Sequence, residues 1–109
     1  MITVFTPTYN RGYILHQLYT SLKNQTSDNF EWIIVDDDST DDTEQLVASF
    51  ESVGQGITYM KQPHGGKHRA INRAVKIAKG DYFFIVDSDD YLTENAIELV
   101  TGWVAAIDS

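Results

Sequence analysis

Residues 30–39 read FEWIIVDDDS, an apolar run that ends in three consecutive carboxylates. Apolar side chains occupy nearly every position of residues 30–35, which is typical of a strand covered by helices on both faces. Short β-branched and aromatic stretches also occur at residues 2–6, 57–62 and 82–86, with helical periodicity between them. The order β-α-β-α-β-α-β-α predicts an α/β fold with a mostly parallel, doubly wound sheet.

The helices are predicted from apolar residues at helical spacing. Ser39 with Asp42 resembles a capping box for the second helix, Gly80 is expected to stop the third, and Thr93 can cap the fourth. Residues 82–86 are expected to form a buried strand. The residues expected on the buried helix faces are Ile14, Leu15, Leu18, Leu22, Leu46, Val47, Phe50, Ile71, Ala74, Val75, Ala78, Ile97, Val100, Val104 and Ile107.

The composition is that of one small globular domain. The chain has 109 residues, of which 42% are hydrophobic, and it has no cysteine for a disulfide or a thiolate metal site. The net charge of −8 argues against nucleic-acid binding, which needs excess Lys and Arg to neutralise phosphates. No signal-peptide pattern or long apolar run is present. We therefore expect a cytoplasmic protein without a transmembrane segment, with peripheral membrane association as the alternative.

The charges are unevenly distributed along the chain. Six of the eight basic residues lie within residues 61–79, and six acidic residues lie within residues 36–44. An anionic ligand held together with a divalent cation fits this pattern. The alternative is that both segments form ordinary solvated faces.

A doubly wound sheet binds its ligand beyond the carboxyl ends of its strands, where this chain has several polar segments. In IVDSDD, Asp87 and Asp89 flank Ser88 directly after a strand, and Asp90 follows. Carboxylates gathered there repel one another, and their oxygens suit Mg²⁺ or Mn²⁺. Asp-x-Asp also occurs by chance in turns and helix caps, so this motif alone leaves both interpretations open.

Two further segments follow the first and second strands. In IIVDDDST, one carboxylate can accept a hydrogen bond from the N–H of a nucleotide base, although acids also favour the start of a helix. In TPTYNR, Pro7 shapes the strand exit, and residues 8–11 can line a base pocket. Tyr9 could stack on the base or pack against protein.

The fourth segment is PHGGKHRAIN, which precedes and begins the third helix. Gly65 and Gly66 allow backbone to approach a ligand closely, and the helix N-terminus offers free N–H groups to a phosphate. Lys67 and Arg69 add positive charge. The spacing of a P-loop and the Gly-x-Gly-x-x-Gly fingerprint are both absent.

Taken in this order, the motifs TPTYNR, WIIVDDDSTDDT, GGKHRAIN and DYFFIVDSDDYL resemble the family 2 glycosyltransferases, which have a GT-A fold. The resemblance covers essentially the whole chain. It implies transfer of a sugar from a nucleotide-diphospho-sugar, with a UDP-sugar as the expected donor, to an unknown acceptor, with inversion and with Mn²⁺ or Mg²⁺. Residues 1–109 would form the donor-binding half.

The resemblance also implies roles for individual residues. Asp37 should contact the base, with the segment of Pro7, Thr8, Tyr9 and Asn10 nearby and Asp36 in the same motif. Lys67 and Arg69 fall where the family has ligands of the nucleotide. Asp87, Ser88 and Asp89 match the Asp-x-Asp motif, in which the second acid binds the metal and the first meets the ribose or the metal's water shell.

The same resemblance implies a missing residue. Family members use an aspartate base on the acceptor side, well beyond the Asp-x-Asp motif, so we expect the base beyond Ser109 and no catalytic residue in this chain. The chain should then bind donor and transfer little. Surface normally covered by the acceptor half, including Trp103, could support a homodimer.

Two other classes of protein remain as alternatives. A non-catalytic nucleotide-binding module would bind the donor without turnover. A phosphotransfer module, either a receiver domain or a haloacid-dehalogenase-type phosphatase, is also an α/β unit with acids beyond its strands. Both phosphotransfer classes need acids after the first strand, where this chain has Pro7, Thr8 and Tyr9.

Overall fold

The computed structural model describes the backbone of residues 1–108 and the side chains of residues 1–106. In chain order the elements are β1 (Ile2–Thr8), α1 (Gly12–Lys23), β2 (Phe30–Asp36), α2 (Thr43–Ser49), β3 (Ile57–Lys61), α3 (Gly66–Ile77), β4 (Tyr82–Ile85) and α4 (Ala96–Asp108). All strand pairs are parallel, and the sheet order is β3-β2-β1-β4. The predicted α/β fold with a parallel sheet is confirmed.

The two faces of the sheet bury two separate clusters, because successive side chains of a strand point to opposite faces. Val4, Trp32 and Ile34 belong to a cluster with residues of α1, α2 and α4. Phe5, Ile33 and Val35 pack on the other face against Ala70 and Ala74 of α3. Helices therefore cover both faces, as a doubly wound sheet requires.

The strand order reverses between β1 and β4. The chain moves outward from β1 through β2 to β3, and then returns to the other side of β1 to form β4. In the register of β1 and β2, Thr8 lies opposite Asp36, so both strands end at the same edge. A reversal of this kind opens a crevice beyond the carboxyl ends of the strands, where ligands bind in doubly wound folds.

The expectation that residues 82–86 form a buried strand is wrong. Within residues 1–108, β4 pairs only with β1 and forms an edge of the sheet. Phe83 stacks on Phe5 with 5.4 Å between ring centroids, but Phe84 and Ile85 are 40% and 46% exposed. The apolar run correctly predicted a strand, yet it carries no information about whether a neighbouring strand or helix covers it.

Helix α2 does not use the expected capping box. It begins at Thr43, whose N–H donates to Asp41 Oδ1 at 3.0 Å. Ser39 instead hydrogen-bonds with Asp36, its N–H donating to Asp36 Oδ1 at 2.9 Å. The Ser-x-x-Asp pattern was therefore a poor guide here, because the side chain of Ser39 has a stronger acceptor at the end of β2.

The residues predicted on the helix faces are buried or half-buried, with one clear exception among the described side chains. Val75 is 54% exposed, because the side of α3 that meets the sheet centres on Ala70 and Ala74. Helix α3 ends at Ile77, before Gly80. A Cβ at Gly80 would lie 2.5 Å from Thr3 Oγ1, so glycine is needed there for a close approach to β1. Ile107 lies outside the described side chains.

Within residues 1–108, the structure contains no helix that combines the length and the apolar character needed to cross a bilayer.

Candidate functional site

A cleft of about 420 Å³ lies at the strand-order reversal, beyond the carboxyl ends of β1, β2 and β4. Its volume is in the range of small-molecule sites. The loops after these three strands and the first residues of α3 form its walls. The lining residues are Pro7, Thr8, Tyr9, Arg11, Val35, Asp37, Gly66, Lys67, Ala70, Asp87, Ser88 and Asp89.

Most of the predicted site residues meet in this cleft. Segments that are far apart in sequence come together there because parallel strands end at one edge of the sheet. The predicted residues that do not line the cleft are Asn10, Asp36 and Arg69.

Asn10 connects two of the loops around the cleft. It has a left-handed backbone conformation with φ of 49°, which asparagine tolerates better than most residues. Its Oδ1 accepts hydrogen bonds from the backbone N–H groups of Thr40 at 2.7 Å and Asp41 at 3.2 Å. Its own N–H donates to Ser39 Oγ at 2.8 Å. Asn10 therefore ties the loop after β1 to the loop after β2.

Asp36 is fully buried and faces away from the cleft. The N–H and hydroxyl of Ser39 donate to its Oδ1, and the hydroxyl of Tyr59 donates to its Oδ2. Burial, followed by the hydrogen bond to Asp36, raises the pKa of Tyr59 above its usual range, so this hydroxyl stays protonated as a donor. In this structure Asp36 links β2, β3 and the loop to α2.

Asp37 is the carboxylate of the second motif that faces the cleft. Its side chain is 18% exposed. Gln62 Nε2 donates to its Oδ1 at 3.0 Å, and the N–H groups of Gly65 and Gly66 donate to the same oxygen at 2.8 and 3.3 Å. The hydrogen bond from Gln62, followed by those from the glycine amides, lowers the pKa of Asp37 below its usual range. Asp37 is therefore ionised throughout the neutral range.

The N-terminus of α3 forms part of the cleft wall. Gly66 has a φ of +77°, which glycine adopts without strain. Lys67 lines the cleft. Arg69 is exposed on the next part of the helix and packs over Gly65, where an added Cβ would come within 2.6 Å of Arg69 Cδ. Arg69 therefore lies beside the start of α3, near the cleft but without lining it.

Three exposed carboxylates gather in the loop after β4. One oxygen from each of Asp87, Asp89 and Asp90 lies within 4.8 Å of the others. The backbone N–H of Asp90 donates to the carbonyl of Asp87 at 3.0 Å, which closes a turn and holds the three acids together. An all-oxygen anionic set of this kind suits a hard divalent cation such as Mg²⁺ or Mn²⁺. Ser88 is buried between them and lines the cleft.

Some residues of the site were not predicted. Val35 and Ala70 form part of the cleft lining, yet their sequence pattern indicates only core positions. Gln62 is buried and contacts Asp37, but a single glutamine at the end of a strand carries no recognisable motif. For Gln62, the available signal was its place as the last residue of the predicted strand 57–62, at the edge where ligands bind.

Known proteins share both the sequence and the fold. The model for "Glycosyl transferase family 2" matches residues 3–108. The glycosyltransferase GlyG from Streptococcus pneumoniae is 38% identical over 110 residues, which is 100% of this chain and 36% of the relative.

Solved structures agree with this relationship. TarS 1-349 from S. aureus in complex with UDP-GlcNAc has a TM-score of 0.88 at 30% identity, and the match covers 96% of this chain and 31% of TarS. The mannosyltransferase PcManGT from Pyrobaculum calidifontis in complex with GDP-Man and Mn²⁺ has a TM-score of 0.75 at 28% identity, over 83% of this chain and 28% of that one.

The chain thus spans about a third of the length of these relatives. The match to the family model covers nearly all of it, and its fold agrees with that of the solved relatives. The chain belongs to glycosyl transferase family 2.

Proposed function

We propose that this chain binds the nucleotide-diphospho-sugar donor of a glycosyltransferase, with a UDP-sugar as the donor. One observation carries the proposal: a single cleft of about 420 Å³ is lined by the carboxylate of Asp37, by Lys67 at the N-terminus of α3, and by Asp87 and Asp89 of the acid cluster. The complexes of TarS with UDP-GlcNAc and of PcManGT with GDP-Man support it, since both ligands are nucleotide-diphospho-sugars.

The base lies, in this proposal, between Asp37 and the segment of Pro7, Thr8 and Tyr9. Asp37 is ionised and can accept a hydrogen bond from an imino N–H such as that of uracil. Tyr9 is 52% exposed beside the cleft and offers a ring on which a base can stack. Asn10 and Asp36 act indirectly, by holding the two loops that carry these residues.

The diphosphate lies between the N-terminus of α3 and the acidic turn, which is the turn after β4 that carries Asp87, Asp89 and Asp90. The first N–H groups of a helix have no acceptor within the helix, and the helix dipole favours negative charge at this end. In α3 the N–H of Gly66 already donates to Asp37, so the N–H groups that follow it are the ones available to the diphosphate. Lys67 and Arg11 line the same cleft and add positive charge.

The acidic turn is the proposed site of the cation. Asp89 and Asp87 would hold Mn²⁺ or Mg²⁺, with Asp90 as a further oxygen ligand from the same turn. When bound, such a cation neutralises diphosphate oxygens and stabilises negative charge on the departing nucleotide. Without it, the three carboxylates would repel the diphosphate, so donor binding should depend on metal.

We further propose that residues 1–109 form the donor half of the enzyme. In an inverting transfer, an acceptor oxygen forms a bond to the anomeric carbon while the bond to the diphosphate breaks, and a base removes the acceptor's proton. Asp87, Asp89 and Asp90 hold the diphosphate side and are poorly located for that role. The chain alone should therefore bind donor and transfer little.

Calorimetric titration with UDP, GDP and dTDP, each in Mn²⁺ and again in EDTA, tests the proposal. We expect UDP to bind most tightly, with an affinity at least about 100-fold higher in Mn²⁺ than in EDTA. Equal affinity for all three nucleotides would contradict UDP as the preferred donor, and binding unaffected by EDTA would contradict the cation site. A protein that includes the remainder of the enzyme should also turn over the UDP-sugar. A non-catalytic binding module would bind the UDP-sugar and never hydrolyse it or transfer its sugar.

Replacing Asp37 with alanine should weaken UDP binding about tenfold to a hundredfold, in both Mn²⁺ and EDTA. The substitution removes a charge-assisted hydrogen bond to the base, a contact that is independent of the metal. Titration of Asp38→Asn provides the control, since Asp38 is exposed, does not line the cleft, and has a left-handed backbone that asparagine tolerates. Equal affinities for the two variants would remove Asp37 from the site.

A further inference from the structure

Gln62 is a buried glutamine at the end of β3, and it contacts Asp37 from behind the cleft. It is 1% exposed and does not line the cleft. Its Nε2 donates to Asp37 Oδ1 at 3.0 Å and to the carbonyl of Gly66 at 3.3 Å. Its backbone N–H donates to the carbonyl of Asp36 at 2.8 Å. Gln62 therefore joins β2, β3 and the start of α3 at one point.

The two oxygens of Asp37 have different surroundings. Oδ1 accepts three hydrogen bonds, from Gln62, Gly65 and Gly66, which leaves it little capacity for a ligand. Oδ2 contacts His64 Nδ1 at 3.1 Å, and the side chain of His64 is 83% exposed. An exposed imidazole can rotate into solvent at small cost, so Oδ2 is the oxygen available to a ligand.

The contacts determine which way the Gln62 amide points. If the amide were flipped, its oxygen would face both a carboxylate and a carbonyl, so the Nε2 must face Asp37. The oxygen Oε1 is then buried without a hydrogen-bond partner among the described residues. Burying an unpaired polar atom is unfavourable. Packing alone would be served better by Leu or Met, so the amide N–H₂ is the part of Gln62 that matters.

We propose that Gln62 is a positioning residue for base recognition: it fixes Oδ1 of Asp37 and thereby presents Oδ2 to the N–H of the bound base. The inference rests on the proposed function, because it assigns a role within the same site. It also predicts which ligands the site accepts. A base must offer a ring N–H to Oδ2, and a base whose ring nitrogen carries a methyl group instead would lose the contact.

The test compares Gln62→Met with Gln25→Met in the same chain. Methionine keeps the length and shape of glutamine but cannot donate a hydrogen bond. Gln25 is a matched control, since its Nε2 donates to the carbonyls of Ser21 and Thr93 and its Oε1 accepts from the N–H of Ile97, all away from the cleft. A thermal melt of each variant establishes that it is folded before binding is measured.

Two measurements are made on each variant: affinity in Mn²⁺ for UDP and for UDP methylated at N3 of the base, and the pKa of Asp37 from the ¹³C shift of its carboxyl. We expect Gln62→Met to bind UDP about tenfold more weakly, with a smaller preference over the methylated nucleotide. The pKa of Asp37 should rise, because a donor to its ionised form is lost. Gln25→Met should match the parent chain in both.

Unchanged affinity together with an unchanged Asp37 pKa in folded Gln62→Met would overturn the inference. Failure of the proposed function gives a different result. If the parent chain did not distinguish UDP from its methylated form, the base contact would be wrong. The role of Gln62 in base recognition would then fall with that contact, and a rise of the Asp37 pKa in Gln62→Met would show only that Gln62 contacts the carboxylate.

Discussion

Asp89→Asn is expected to abolish the Mn²⁺-dependent part of UDP binding, lowering affinity by a factor of about 100 or more. Substitution of a residue that only supports a metal ligand typically lowers metal affinity or activity about 10- to 100-fold, so loss of a charged ligand should lower it at least as much. Asparagine keeps one oxygen but removes the negative charge of one of three clustered acids. Titration calorimetry in Mn²⁺ and in EDTA measures the effect, and the two affinities should converge in the variant.

The fold should tolerate this change. Asp89 is exposed, and its loss removes repulsion from Asp87 and Asp90. Asp28→Asn provides a matched control, because Asp28 is also exposed and precedes β2 at the opposite end of the sheet. It should bind UDP like the parent chain. Retained Mn²⁺ dependence in a folded Asp89→Asn variant would place the cation elsewhere.

Trp32→Ala is expected to destabilise the chain by about 3–5 kcal/mol. Trp32 is fully buried in the cluster shared with α1, α2 and α4. Its ring lies 6.0 Å from that of Phe50, and its Nε1–H donates to Thr6 Oγ1 at 2.9 Å. Alanine would leave a large cavity and an unpaired buried hydroxyl. The free energy of unfolding of a small domain is about 5–15 kcal/mol, so this loss is a large fraction of the total.

Urea denaturation followed by far-ultraviolet circular dichroism measures this loss without relying on tryptophan fluorescence. Trp103 supplies the control within the same chain, because it is 62% exposed on α4. Trp103→Ala should change the free energy of unfolding by no more than about 0.5 kcal/mol. Equal destabilisation by the two substitutions would mean that the burial of Trp32 adds no more to stability than the exposed Trp103 does.

The strands and their alternation with helices along the chain were predictable because the strands have local patterns. The run at residues 30–35 specifies a strand by itself, and alternation with helical periodicity then fixes a parallel sheet. Exposure was less predictable. β4 is as apolar as β2, yet it lies at an edge, and position within a sheet depends on contacts distant in sequence.

The site was predictable at the level of segments and less so at the level of side chains. Asp36 and Asp37 are chemically identical neighbours, and the sequence motif predicts that both lie beside the ligand. In the structure they point in opposite directions: Asp36 binds Ser39 and Tyr59, and Asp37 faces the cleft. The orientations of the two acids depend on Tyr59 of β3 and on Gln62 directly after it, which no local pattern around the two acids can reveal.

The hydrogen bonds of Asn10 bear on the thermodynamics of ligand capture. They fasten the loop after β1 to the loop after β2 before any ligand arrives, and Gly12 N–H adds a bond to Asp41 Oδ2 at 3.2 Å. A pocket wall that is already ordered loses little conformational entropy when it closes on a base. In the proposed complex, more of the enthalpy of the base contact would then appear as affinity, because the two loops that form this wall are already ordered.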